Sequence, residues 1–95
     1  MEMKNLDLQK LRDEIDRIDK QIVDLYESRM EICKEVAEYK IETGKKVFDR
    51  VREEEKIRKV KALTSDEFSS RAVEELFEQI MSVSRKLQYK LLAEH

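Results

Sequence analysis

From Leu8 onward the apolar residues return every three or four positions: Leu8, Leu11, Ile15, Ile18, Ile22 and Leu25, then Ile32, Val36 and Tyr39. This alternation follows the 3.6-residue turn of an α-helix and, kept up over so long a stretch, describes a heptad seam along one side of a long helix. The chain has no proline and a single glycine, Gly44, so nothing inside the stretch breaks it. Thr43-Gly44 is where the helix is expected to stop, because glycine takes up the left-handed conformation that ends a helix. One seam position departs from the pattern: Arg29 stands where an aliphatic residue belongs.

Beyond Gly44 the signals repeat on a smaller scale. Val47 and Phe48 are expected to pack inward from the connector. Asp49 is a good N-cap for a short helix carrying Arg52, Glu53, Lys56, Ile57 and Val60. Thr64-Ser65-Asp66-Glu67 has the Thr-x-x-Glu form of a capping box, and opens a helix whose apolar stripe is Phe68, Ala72, Val73, Leu76, Phe77, Ile80, Met81, Val83, Leu87 and Leu91. The expectation is one all-α domain over 1–95, with long, short and long helices at about 6–43, 49–63 and 65–93. A helix of about 35 residues is about 50 Å long, whereas a compact globule of this chain length spans about 30 Å. The first helix must overhang, and the ordinary remedy for an overhanging aliphatic seam is a homodimer in which two copies cover each other.

Charge excludes several classes of partner. Charged residues make up 44% of the chain, yet the formal net charge is −2 and the signs are interleaved, so there is no basic footprint for nucleic acid and no polybasic face for a membrane. Cys33 is the only cysteine and His95 the only histidine. That leaves no disulfide within the chain, no expected metal site, and a composition suited to a reducing cytoplasm. Met1 to Asn5 lead straight into a charged amphipathic segment, without the apolar run of a signal peptide or membrane span.

The informative residues are polar ones placed on apolar stripes. A buried Arg29 without a counter-ion would cost several kcal/mol, so something anionic must meet it. For a lone arginine the ordinary answers are a carboxylate such as Glu53, or a stem that carries the charge to the surface. Lys40 lies eleven residues later on nearly the same face, about 16 Å along the axis; taken alone it is a solvated lysine near a helix end. Asp49, Arg52 and Glu53 share a face at the spacing of any capped, salt-bridged helix. Ser84 and Gln88 stand four apart at the edge of the last stripe. Together these residues make a set of cations and neutral donors without a His-activated nucleophile, which suits a small dianion and a reaction without an acid–base relay or cofactor.

With those residues in place the chain resembles the all-helical class of chorismate mutases. The resemblance rests on residues 11–19, Leu-Arg-Asp-Glu-Ile-Asp-Arg-Ile-Asp, on Arg29, on Val36-Ala37-Glu38-Tyr39-Lys40, on Val47-Phe48-Asp49-Arg50-Val51-Arg52-Glu53, and on Ile80 to Gln88 with its Ser84-x-x-x-Gln88. It implies an intertwined homodimer of three-helix protomers that rearranges chorismate to prephenate in phenylalanine and tyrosine biosynthesis. It also implies roles. Arg29 and the partner protomer's copy of Arg12 would hold the two substrate carboxylates, with Ser84 assisting. Lys40 and Gln88 would donate to the ether oxygen. Glu53, with the backbone near Asp49, would take the ring hydroxyl, and Arg52 would lie along the substrate. Arg12 enters through the resemblance alone, since beside Leu11 it looks like an ordinary flank.

Two other readings compete. A dimeric helical adaptor would use Arg29 only to fix register. An isochorismate pyruvate lyase, which resembles the same fold, would also bind a cyclic dicarboxylate.

Overall fold

The computed structural model describes residues 6–95. Three α-helices follow one another, α1 (Leu8–Thr43), α2 (Arg50–Ala62) and α3 (Glu67–Glu94), and there is no strand among the described residues. The fold is all-α, in the order long, short, long. The chain divides into two units, Met1–Glu31 and Ile32–His95, with α1 contributing to both.

In the first unit Asp7 opens α1: its Oδ1 accepts the Gln9 N–H at 2.9 Å, and its carbonyl accepts the Leu11 N–H at 3.1 Å. The first bond satisfies a donor that the first helical turn leaves without a partner, and the second is the first i→i−4 bond of the helix. The seam residues Leu8, Leu11, Ile15, Ile18, Ile22 and Leu25 are each 40–70% exposed.

In the second unit α1 stops at Gly44, whose φ of 71° lies in the left-handed region. The Lys45 N–H reaches back to the Lys40 carbonyl at 3.0 Å, the six-to-one bond that closes such a helix end. A methyl group on Gly44 would meet nothing within 4 Å, so Gly44→Ala tests the backbone alone. The substitution is expected to lower stability by about 1–2 kcal/mol, read as a fall in Tm of several degrees at fixed protein concentration. An unchanged Tm would mean that this turn relaxes without a left-handed residue.

Asp49 caps α2 as its sequence position suggests, with extended backbone and a carboxylate accepting the Arg52 N–H at 3.0 Å. The start of α3 differs from expectation. Thr64 does not form a capping box with Glu67; its hydroxyl donates to the Lys61 carbonyl at 2.6 Å and so finishes α2. Asp66 takes the cap, accepting the Ser69 N–H at 2.7 Å and the Ser69 hydroxyl at 3.2 Å. A carboxylate satisfies the partly positive start of a helix better than a hydroxyl does. The Ser69 amide, and then its hydroxyl, hold the Asp66 carboxyl below its ordinary value. This cap is therefore complete at neutral pH and weakens as pH falls through that lowered value.

Burial shows which faces meet. Val60 on α2 and Met81 on α3 are both buried, and a Lys61–Glu74 ion pair of 3.3 Å links the same two helices at their surface. The last turns of α1 join them through Ala37, 1% exposed, and through Cys33, whose Sγ lies 3.6 Å from the Ser84 hydroxyl. Cys33, Ala37, Lys40 and Ile41, at helical spacing, form the side of α1 turned inward, whereas the seam residues Ile32, Val36 and Tyr39 stay exposed. In this unit α1 thus has two faces, and the heptad seam is the uncovered one. The stripe of α3 is also narrower than its apolar residues suggest, since Phe68, Leu76 and Val83 are exposed. Val47 packs inward as expected, but Phe48 is half-exposed, and the cover its ring has includes the Arg85 guanidinium.

Candidate active site

Along α3 the buried face is Met81, Ser84 and Gln88, successive steps of three and four that keep them on one side of the helix. The two polar residues are therefore at the centre of the covered stripe and not at its edge. Ser84 and Gln88 are 5% and 7% exposed. The Ser84 hydroxyl donates to the Ile80 carbonyl at 2.9 Å, and the Cys33 thiol points at its oxygen.

Gln88 is different, because its Oε1 is buried without a hydrogen-bond partner. An orphaned buried amide group costs about 1–3 kcal/mol. A half-turn of the carboxamide exchanges its acceptor for a two-proton donor, so this side chain can meet either kind of polar group.

Lys40 is half-buried near the end of α1, and its Nζ donates to the Val47 carbonyl at 2.7 Å. That bond ties the helix end to the connector and fixes the direction of the ammonium group, which has three protons and spends one here. Lys40 lines an open hollow of about 430 Å³ together with Gly44, Val47, Phe48, Tyr89 and Leu92. Glu53 lines a second, of about 300 Å³, together with Ile57, Glu78 and Met81. Phe48 belongs to both walls.

Glu53 sits in the first turn of α2 and is half-buried. Its carboxylate is held by Arg85 of α3 through a charge-assisted hydrogen bond, and the Arg85 guanidinium lies over Phe48 at 5.4 Å from the ring centre. Sequence reasoning missed Arg85. The available signal was its spacing, four residues after Met81 and three before Gln88, which places it beside the buried face. In a chain with 44% charged residues a single arginine of that kind looks like a solvated flank.

The remaining candidates are placed as follows. Asp49 and Arg52 are exposed, the former using its carboxylate as the α2 cap. Arg12, exposed, and Arg29, half-buried, belong to the first unit. Among the described residues no group of three or more His, Cys, Asp or Glu side chains could hold a metal ion, and no helix is long and apolar enough to cross a membrane.

The second unit thus offers an oriented ammonium, a buried hydroxyl, a buried carboxamide with an unmet bond and an anchored carboxylate. Such groups bind and polarise, and none of them is a base paired to a nucleophile.

Neither the curated proteins nor the solved structures offer a match to this chain. The family described as chorismate mutase type II does match, over residues 11–89. That span takes in Arg12, Arg29, Lys40, Asp49, Arg52, Glu53, Ser84 and Gln88 as well as most of all three helices, and on this match the chain belongs to the type II chorismate mutases, a family of isomerases.

Proposed function

We propose that this protein catalyses the rearrangement of chorismate to prephenate, serving phenylalanine and tyrosine biosynthesis in the cytoplasm. Two copies cross their α1 seams so that each site receives Arg12 from the partner protomer. The exposed aliphatic seam favours the dimer, since a row of large apolar side chains in water is a liability until a second copy covers it. The observation that carries the site is Gln88, a buried amide with an unmet hydrogen bond four residues from a buried hydroxyl, on the face that Cys33 of α1 approaches.

The mechanism follows from what a [3,3] shift requires. One carbon–oxygen bond breaks and one carbon–carbon bond forms within a single molecule, without proton transfer, so the protein has only to fold the substrate and stabilise developing charge. Arg29 and the incoming Arg12 clamp the two carboxylates, with Ser84 turning its hydroxyl from the Ile80 carbonyl to one of them. Glu53 accepts from the ring hydroxyl beside the Asp49 backbone, and Arg52 lies along the substrate as a further cation. Lys40 and Gln88 converge on the ether oxygen as it gains negative charge.

Magnitudes show why both halves are needed. A charge-assisted hydrogen bond contributes about 1.5–3 kcal/mol, whereas even modest enzymatic acceleration takes about 8 kcal/mol. Two donors on one oxygen fall short. The clamp supplies the rest by holding the chain and ring of the substrate in the reactive conformer, using binding energy from groups that do not react.

Gln88→Glu tests the donor. An amide donates at every pH, whereas a carboxyl donates only when protonated. The variant is expected to be weak at neutral pH and to gain activity as pH falls, while the native protein stays active across neutral pH. A pH–rate profile for Gln88→Glu that does not rise toward acid would remove Gln88 from the ether oxygen.

A further inference from the structure

We infer that Arg85 is a positioning residue for this reaction, fixing the Glu53 carboxylate and the start of α2 in the attitude that the substrate meets. The inference rests on the reading above, in which Glu53 accepts from the ring hydroxyl.

Three contacts carry it. First, Arg85 donates from Nη1 to Glu53 Oε1, joining the middle of α3 to the first turn of α2. Second, its guanidinium carbon lies over the Phe48 ring, 5.4 Å from the ring centre, and Phe48 immediately precedes the α2 cap, Asp49. Third, both side chains of the pair are mostly removed from solvent, at 28% and 22% exposed, so water competes with the bond less than it does at the surface pairs Lys20–Asp24 and Arg71–Glu67, which are 60–79% exposed.

One arginine thereby grips the segment containing Phe48, Asp49 and Glu53 from two sides, by an ion pair at Glu53 and a cation–π contact at Phe48. A glutamate has three rotatable bonds before its carboxylate, and without a partner it would sample several rotamers, most of them aimed away from a ligand. Arg85 occupies one carboxylate oxygen only. Oε2 is left with its full acceptor capacity for a hydroxyl proton. Arg85 itself need touch no reacting atom, and its neighbour Ser84 already occupies the buried face.

Geometry of this kind acts on binding more than on the bond-breaking step, because a ring hydroxyl keeps its charge through the rearrangement. Arg85→Ala is therefore expected to raise KM for chorismate about tenfold with kcat changed less than about threefold. Arg85→Met, which keeps the stem over Phe48 without the charge, should behave like the alanine variant, and Arg85→Lys should recover part of the loss. The decisive comparison is a double-mutant cycle: in a Glu53→Gln background, Arg85→Ala should add little further loss, because the carboxylate it positions is already gone.

Helical circular dichroism and sedimentation would establish that each variant remains folded and assembled. An unaltered KM in a folded Arg85→Ala protein, or an equal loss with and without Glu53, would overturn the positioning role while leaving the mutase reading intact. Absence of turnover by the native protein would instead remove the reading and, with it, this inference.

Discussion

Lys40→Ala is expected to leave three helices in place and to lower kcat/KM for chorismate about 10²–10³-fold, the usual effect of deleting one preorganised donor from a developing oxyanion. Most of the loss should fall on kcat. In the ground state the ether oxygen is a weak acceptor, and the bond to the ammonium strengthens only as charge accumulates there, so its removal raises the barrier more than it weakens binding.

The structure adds a second consequence. Lys40 also donates to the Val47 carbonyl, and losing that bond should reduce stability by about 1 kcal/mol. The two effects separate in one experiment, since denaturation reports the connector and steady-state kinetics report the reaction. A variant that loses stability but keeps kcat would assign Lys40 to the connector alone.

Arg29→Leu should give a folded protein that is at least about 10²-fold less active, because a guanidinium that clamps a carboxylate is worth several kcal/mol to the bound state. Arg29 interrupts a row of aliphatic residues and is half-buried, so leucine continues the apolar pattern of the helix and the fold is expected to survive the change. Loss of function in a folded dimer separates this protein from a helical adaptor. In an adaptor the same substitution would tighten the assembly and cost nothing, so a stable Arg29→Leu dimer with native activity would count against the clamp.

Much of the fold is legible in the sequence because helices announce themselves locally. The three- and four-residue spacing of α1, the φ > 0 demand met by Gly44 and the cap at Asp49 all arise within a turn or two of chain. Which face of a helix is covered does not. Ile32, Val36 and Tyr39 make the stronger apolar pattern, but Ala37 and Cys33 face α3. A small residue lets another helix approach closely, and composition cannot say that one will.

The site divides along the same line. Ser84 and Gln88 can be found from their spacing, but sequence puts them at the margin of a stripe, because a polar pair at its centre would be costly without a ligand. Arg85 escaped because its role depends on Glu53 and Phe48, 32 and 37 positions away. Arg12 comes only from the family resemblance. It is exposed on α1, and the role proposed for it in a partner's site would leave no mark of burial in its own chain.

The most direct test follows the ultraviolet absorbance of chorismate with purified protein and identifies the product. Loss of chorismate with formation of an equal amount of prephenate, by a protein that sediments as a dimer, is the expected result. A well-folded dimer that leaves chorismate unchanged would contradict it, and release of salicylate and pyruvate from isochorismate by the same protein would assign the site to the lyase reaction instead.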